Sequence, residues 1–191
     1  MTTEGRGIAR RMGLERSTGQ QYYLRSLQHY NDGDTENAIL DISEAIYYDR
    51  GYAVYYSLRG IYYVTSGQLQ GAETDLKYAL KINRRDWLAN FGLGIVQFLN
   101  GDIAGALFHF ERAAKFNSRR PEIWYYRAVA AFYNRDYEKA HTFIERALTL
   151  FPDSDKRSRE AKIWKKEIET QLPNQSASDP NKAAKKARPK K

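Results

Sequence analysis

Cysteine is absent from this 191-residue chain. Disulfide bridges and thiolate-bound metals are thereby excluded, and a reducing compartment is the natural setting. Long apolar runs are absent too. No stretch approaches the roughly 18 uninterrupted apolar residues of a membrane-spanning helix, and the opening MTTEGRGIARRMGLERSTGQ has no apolar core of signal-peptide length. A soluble, cytoplasmic protein is expected. With 42% hydrophobic residues the chain nevertheless has enough apolar material to build a core.

The body of the chain also lacks a dominant charge. The net charge is +8, but residues 173–191 hold six Lys or Arg against one Asp, and residues 1–18 hold four Arg against two Glu. Between them, residues 19–172 hold 21 basic and 20 acidic side chains. The basicity belongs to the ends and does not describe a nucleic-acid-reading fold.

What is present is a period. Ala38, Ala72, Ala106 and Ala140 lie 34 residues apart, as do Ala45, Ala79, Ala113 and Ala147, and as do Ser26, Gly60, Gly94 and Ala128. Three series in one register define four units, 19–52, 53–86, 87–120 and 121–154. Each unit reads as two amphipathic helical stretches around a polar turn, such as Asn100-Gly101-Asp102 in the third. The glycine allows positive φ at the end of one helix and the aspartate caps the next. The alanines are spacers that let helix axes approach to about 8 to 10 Å.

Tyr56-Arg59-Gly60-Tyr63 with Gly67, Ala72, Leu76 and Ala79, and Trp124-Arg127-Ala128 with Ala140, Ile144, Ala147 and Pro152, resemble the tetratricopeptide repeat family. The resemblance implies an all-α, right-handed solenoid of four helical hairpins whose first helices line a concave groove. In the family's register the groove is lined by Tyr23, Leu27, Tyr30, Ile61, Val64, Phe91, Ile95, Phe98, Tyr125, Val129 and Phe132. These side chains either anchor an apolar or amphipathic peptide segment or fill space between neighbouring helices. None is basic or Asn, so a clamp for a C-terminal carboxylate is not expected on this face. The chain departs from the family pattern at Arg50, Arg84 and Ser118, where proline is usual, at Asn90, where an aromatic is usual, and at Arg135, where glycine is usual.

Beyond the repeats, Asp153 or Ser154 is placed to cap a helix over about 155–172, with Ala161, Trp164, Ile168 and Leu172 on one face. It would cover the apolar flank of the last unit, as solenoids require. Residues 173–191 are expected to form a disordered basic tail and residues 1–18 a flexible basic segment. Within the latter, Ile8, Met12 and Leu14 form a short apolar face, a candidate cover for the groove of the same chain or of a second copy, which leaves homo-oligomerisation open.

The expected function is a non-enzymatic scaffold (an adaptor, assembly factor or escort chaperone) holding a protein segment. The alternative is a nucleic-acid- or ribosome-associated factor, using Arg85, Arg119 and Arg120 in the inter-unit turns and Lys185, Lys186, Arg188, Lys190 and Lys191 in the tail as anion-binding groups. KKARPKK also resembles a nuclear-import signal. His29, His109 and His141 share no spacing, Asp32, Asp34, Asp102 and Asp136 read as turn caps, and no glycine-rich phosphate loop or metal-spaced carboxylate set occurs. No catalytic residue, metal or cofactor is implied.

Overall fold

The computed structural model describes residues 14–172. The tail expected to be disordered, its Lys and Arg anion-binding candidates and the apolar residues Ile8 and Met12 lie outside the described residues. The described chain is all-α, with nine helices in order: α1 (Leu14–Asn31), α2 (Thr35–Tyr48), α3 (Ala53–Thr65), α4 (Leu69–Ile82), α5 (Trp87–Leu99), α6 (Ile103–Phe116), α7 (Pro121–Tyr133), α8 (Tyr137–Leu150) and α9 (Lys156–Gln171). The first helix begins at Leu14, inside the stretch expected to be flexible.

The turns explain why helices break where they do. Gly101 takes φ 82°, and the N–H of Asp102 reaches back to the Gln97 carbonyl at 2.9 Å. The Asp102 carboxylate then accepts from the N–H of Gly105 at 2.9 Å, capping α6. Asp34 and Asp136 cap α2 and α8 in the same way, while Gln68 stands at the start of α4 without a side-chain cap. In the fourth unit Arg135 holds the glycine conformation, φ 60°, and the Asp136 N–H still reaches the Ala131 carbonyl at 3.0 Å.

Packing gives the small-residue series its meaning. All eight alanines of the two long series are fully buried. A Cβ on Gly60 would lie 2.6 Å from Leu76, and one on Gly94 would lie 2.5 Å from Phe110. In the first and fourth units, where the corresponding residues are Ser26 and Ala128, the corresponding large positions hold Ile42 and Ile144, both fully buried. A small residue on the first helix of each unit thus goes with a large one on the second, keeping the interior dense.

Units are joined by polar contacts as well as apolar ones. The buried Asp86 accepts from the N–H of Ala89 at 3.0 Å, capping α5, and from the Ser57 hydroxyl on α3 at 2.9 Å. The helix α9 follows the last unit as expected, but its cap is Asp155, which accepts from the Arg157 N–H at 2.9 Å, rather than Asp153 or Ser154. Arg157 also holds that carboxylate with its guanidinium, Nη2 to Oδ2 at 2.8 Å, which favours Asp155 over its neighbours. Ala161 and Ile168 of α9 are buried against the fourth unit.

Beyond its own hairpin partner, α3 packs on α5 and α5 on α7, whereas the second helices pack between the first helices of adjacent units. The first helices therefore line the inner side of the stack. No described helix is long and apolar enough to cross a membrane.

Candidate functional site

Two surfaces carry exposed chemistry: the inner face and a pair of clefts on the other side. On the inner face, Tyr23, Leu27, Tyr30, Ile61, Val64, Ile95, Phe98, Tyr125 and Phe132 are half-buried. Phe91 and Val129 are buried, at 8% and 7% exposure, and are packing residues in the structure. Phe91 sits between Phe110 and Tyr126, at ring separations of 5.9 and 5.5 Å.

The remaining aromatics bridge neighbouring helices. Tyr23 meets Tyr55 at 5.4 Å, and Tyr30 stacks on Tyr62 at 4.5 Å. Burial pushes the pKa of the Tyr62 hydroxyl up to about 12. Towards the other end, Phe98 meets Tyr133 at 5.5 Å, Phe132 meets Trp164 of α9 at 5.4 Å, and Tyr133 meets Trp164 at 6.3 Å. The pKa of the Tyr126 hydroxyl is raised first by burial and then by Glu160 of α9 and Tyr30 of α1.

Sequence reasoning missed two more open apolar residues that adjoin members of this ladder in the chain. Leu99 and Tyr133, the last residues of α5 and α7, are 56% and 59% exposed. They follow Phe98 and Phe132 directly and are themselves 34 residues apart, where the first two units carry Asn31 and Thr65. That exchange of polar for apolar residues is the signal that marks them.

The candidate anion-binding arginines Arg85, Arg119 and Arg120 are exposed in successive inter-unit turns. Arg120 lies 5.0 Å over the Trp87 ring and 3.9 Å from the Glu122 carboxylate. Of the histidines, His29 approaches Asp34 at 3.6 Å and Asp41 at 3.5 Å, and His141 approaches Glu145 and Glu169 at 3.8 and 3.5 Å. Among the described residues no group of three or more His, Asp or Glu is arranged to hold a metal ion.

The other side of the stack carries a feature that the sequence reading passed over. Arg25, Arg59 and Arg127 occupy one register position of the first helices, with Leu93 in the third unit; Asp41, Asp75, His109 and Phe143 occupy the facing position of the second helices. In the first unit Arg25 binds Asp41 through both Nε and Nη2. In the second, Arg59 forks onto Asp75, Nε to Oδ2 at 2.6 Å and Nη2 to Oδ1 at 2.9 Å, and adds the Ser43 hydroxyl at 3.2 Å. Burial opposes the Arg59 charge, but the hydrogen bonds and field of Asp75 outweigh it and raise the guanidinium pKa.

The fourth unit has the arginine without the carboxylate. Arg127 lies 4.1 Å over the Phe143 ring and 5.5 Å from the Trp124 ring. Burial lowers its pKa, partly offset by Glu111 at Coulombic range. It lines a cleft of about 530 Å³ between α6 and α7, with Phe108, Glu111, Arg112, Lys115 and Trp124 among the other walls. Of the Arg112 guanidinium, Nη2 donates to the Arg84 carbonyl at 3.5 Å and Nε is buried with no hydrogen-bond partner among the described residues. The equivalent cleft around Arg59, about 700 Å³, closes its arginine's charge internally with Asp75.

Comparison with known proteins follows the same repeat. Family models described as tetratricopeptide repeat match residues 57–119 and 121–154. The structure is similar to TTC0263, a thermophilic TPR protein of Thermus thermophilus, at 15% identity and TM-score 0.67, covering 87% of this chain and 96% of that one. It is similar to MamA from Desulfovibrio magneticus RS-1 at 17% identity and TM-score 0.59, covering 84% and 97%. It is also similar to a chain of the APC/C hetero-tetramer Cut9-Hcn1 at 21% identity and TM-score 0.69, covering 87% of this chain and 36% of that one. At these identities the likeness concerns the fold. No curated protein matches the chain.

Proposed function

The chain belongs to the tetratricopeptide repeat family, and from that premise we propose that it is a protein-interaction scaffold whose inner face docks an apolar segment of a partner protein. The observation that carries this reading is the pair Leu99 and Tyr133, large apolar side chains more than half exposed beside a surface of half-buried aromatic and aliphatic residues. Tyr133 meets Phe98 and Trp164 in the ring ladder, and Leu99 follows Phe98 directly in the chain. Rigid aromatic walls lose little conformational freedom when an apolar chain covers them, and that is where binding energy concentrates. An adaptor or escort role follows from such a surface, since it shelters an apolar segment that water would not.

Scaffold chemistry needs no convergent acid, base and nucleophile. The test is affinity capture from the native source with the intact chain and with the double variant Leu99→Ser, Tyr133→Ser. Both residues are more than half exposed, so the variant is expected to stay folded, with a melting temperature lowered only modestly by the lost contacts of Tyr133 with Phe98 and Trp164, while losing the captured partners and most hydrophobic-dye binding. Retention of the same partners by the variant would refute the inner-face reading.

A further inference from the structure

We propose that the cleft between α6 and α7, on the side of the stack away from the aromatic ladder, is a second docking site, and that it takes an acidic segment of a partner protein whose carboxylate pairs with Arg127 and Arg112. The repeat itself supplies the contrast. The same arginine position is satisfied by an internal carboxylate at Asp41 in the first unit and Asp75 in the second, while the fourth unit presents Phe143 there. The arginine is kept and its partner is not.

Left alone, that arrangement costs stability. A partly buried guanidinium without a hydrogen-bonded counter-charge loses hydration and gains only the faces of Phe143 and Trp124 in return. Arg112 adds a second cation to the same cleft, its guanidinium 5.7 Å from the Phe108 ring and hydrogen-bonded, among the described residues, only through Nη2 to the Arg84 carbonyl at 3.5 Å, and Lys115 adds a third; Glu111 is the opposing acid on the walls. The cleft is therefore a concave, cationic and partly apolar cavity whose missing component is a carboxylate. The fork geometry realised at Arg59 and Asp75, two bonds of 2.6 and 2.9 Å, is the contact an incoming Asp or Glu would reproduce.

Charge also says where that carboxylate comes from. Residues 173–191 carry six cations and one acid, and residues 1–13 carry Arg6, Arg10 and Arg11 against Glu4, so neither end of the chain complements a cationic cleft. A polynucleotide would bring closely spaced phosphates against Glu111 and the apolar walls of Phe108 and Trp124. A peptide carboxylate flanked by apolar side chains suits those walls better.

The three tryptophans make the test local, since Trp124 lines this cleft, Trp164 belongs to the inner ladder and Trp87 lies under Arg120. The full chain, labelled with ¹⁵N, is titrated with a short peptide alternating Glu and Leu, with its counterpart carrying Gln for each Glu, and with single-stranded oligothymidine. The Glu peptide should move the indole signal of Trp124 and leave that of Trp164 in place. Arg127→Gln should weaken its binding about tenfold, the scale of one charge-assisted hydrogen-bonded contact. Glu111→Gln, an exposed and structurally mild change, should strengthen it several-fold. The Leu99→Ser, Tyr133→Ser variant should bind the Glu peptide unchanged, so failure here is separable from failure at the inner face.

Equal binding of the Gln counterpart, displacement of the Trp164 signal alone, or no response to Glu111→Gln would overturn the proposal. Oligothymidine binding that depends on Arg127 without any binding of the Glu peptide would assign the cleft to nucleic acid instead. A rise in sedimenting mass abolished by Arg127→Gln would assign it to a second copy of the chain; either result refutes the acidic-peptide reading.

Discussion

The second and fourth units solve the same geometric problem with opposite electrostatics. In the second, Arg59 is 20% exposed at its side chain and meets an 8% exposed Asp75 in a bidentate pair. In the fourth, Arg127 stands in the same place with an aromatic ring where the acid would be. The backbone pairing of the hairpins does not change, because alanine and glycine spacing sets it and the arginine position does not. A repeat can therefore keep its fold while one unit closes a charge internally and another presents it outward. The difference separates residues that hold the solenoid from residues that are free to serve a partner.

Removing the internal acid should give the largest effect. Asp75→Ala leaves Arg59 largely buried without its carboxylate, a loss of about 3 kcal/mol by the usual cost of breaking a buried pair. Arg127→Met removes a guanidinium that has no such pair, and it should change stability by no more than about 0.5 kcal/mol or raise it. Urea unfolding followed by circular dichroism measures both. Equal losses from the two variants would mean that Arg127 is structurally satisfied after all, and the contrast between the units would vanish.

The third unit offers a titratable intermediate between these cases. His109 stands where Asp75 stands, faces Asn90 with Nδ1 3.4 Å from the amide oxygen, and has its pKa lowered first by burial and then by Arg112. Lys77 also lowers it, and Asp102 opposes both. A folded pKa below the unfolded value, ordinarily about 6.5, means that the folded state resists protonation. Stability tied to His109 is then complete above that unfolded value and declines as pH falls below it. Melting temperatures between neutral and mildly acidic pH should fall less steeply in His109→Gln than in the intact chain, and parallel curves would show that His109 titrates freely.

Much of this fold is legible in the chain because helix crossings impose their own spacing. A residue too large at Ala106 or Gly94 has nowhere to go, so the 34-residue register shows through despite the irregular turns. The turns are legible for a similar reason, as Gly101 and Asp102 answer to one local backbone requirement. The site is less so. Whether Phe91 lines a surface or sinks into the packing is decided by Phe110 and Tyr126, on two other helices. Arg59 and Asp75 are 16 residues apart and meet only after the hairpin closes, so neither composition nor helical periodicity reveals the pair. The cap of α9 is a local choice among adjacent polar residues, settled at Asp155 by its own contacts with Arg157.

The smallest expected effect tests whether the fourth unit's two departures are independent. Arg135 is exposed and holds φ 60° where the other turns use Gly33, Gly67 and Gly101 at φ 83°, 77° and 82°. A side chain in this left-handed conformation costs about 1 kcal/mol, part of which glycine returns as extra freedom in the unfolded chain. Arg135→Gly should therefore stabilise the protein by about 0.5 kcal/mol, readable as a small rise in melting temperature. Binding of the Glu peptide to the cleft should not change, because the turn lies at the far end of α7 from Trp124 and the Arg127 guanidinium is held by Phe143, not by the turn. If Arg135→Gly weakened that binding, turn and cleft would be coupled, and the fourth unit would have to be understood as one rearranged module rather than an ordinary hairpin missing a carboxylate.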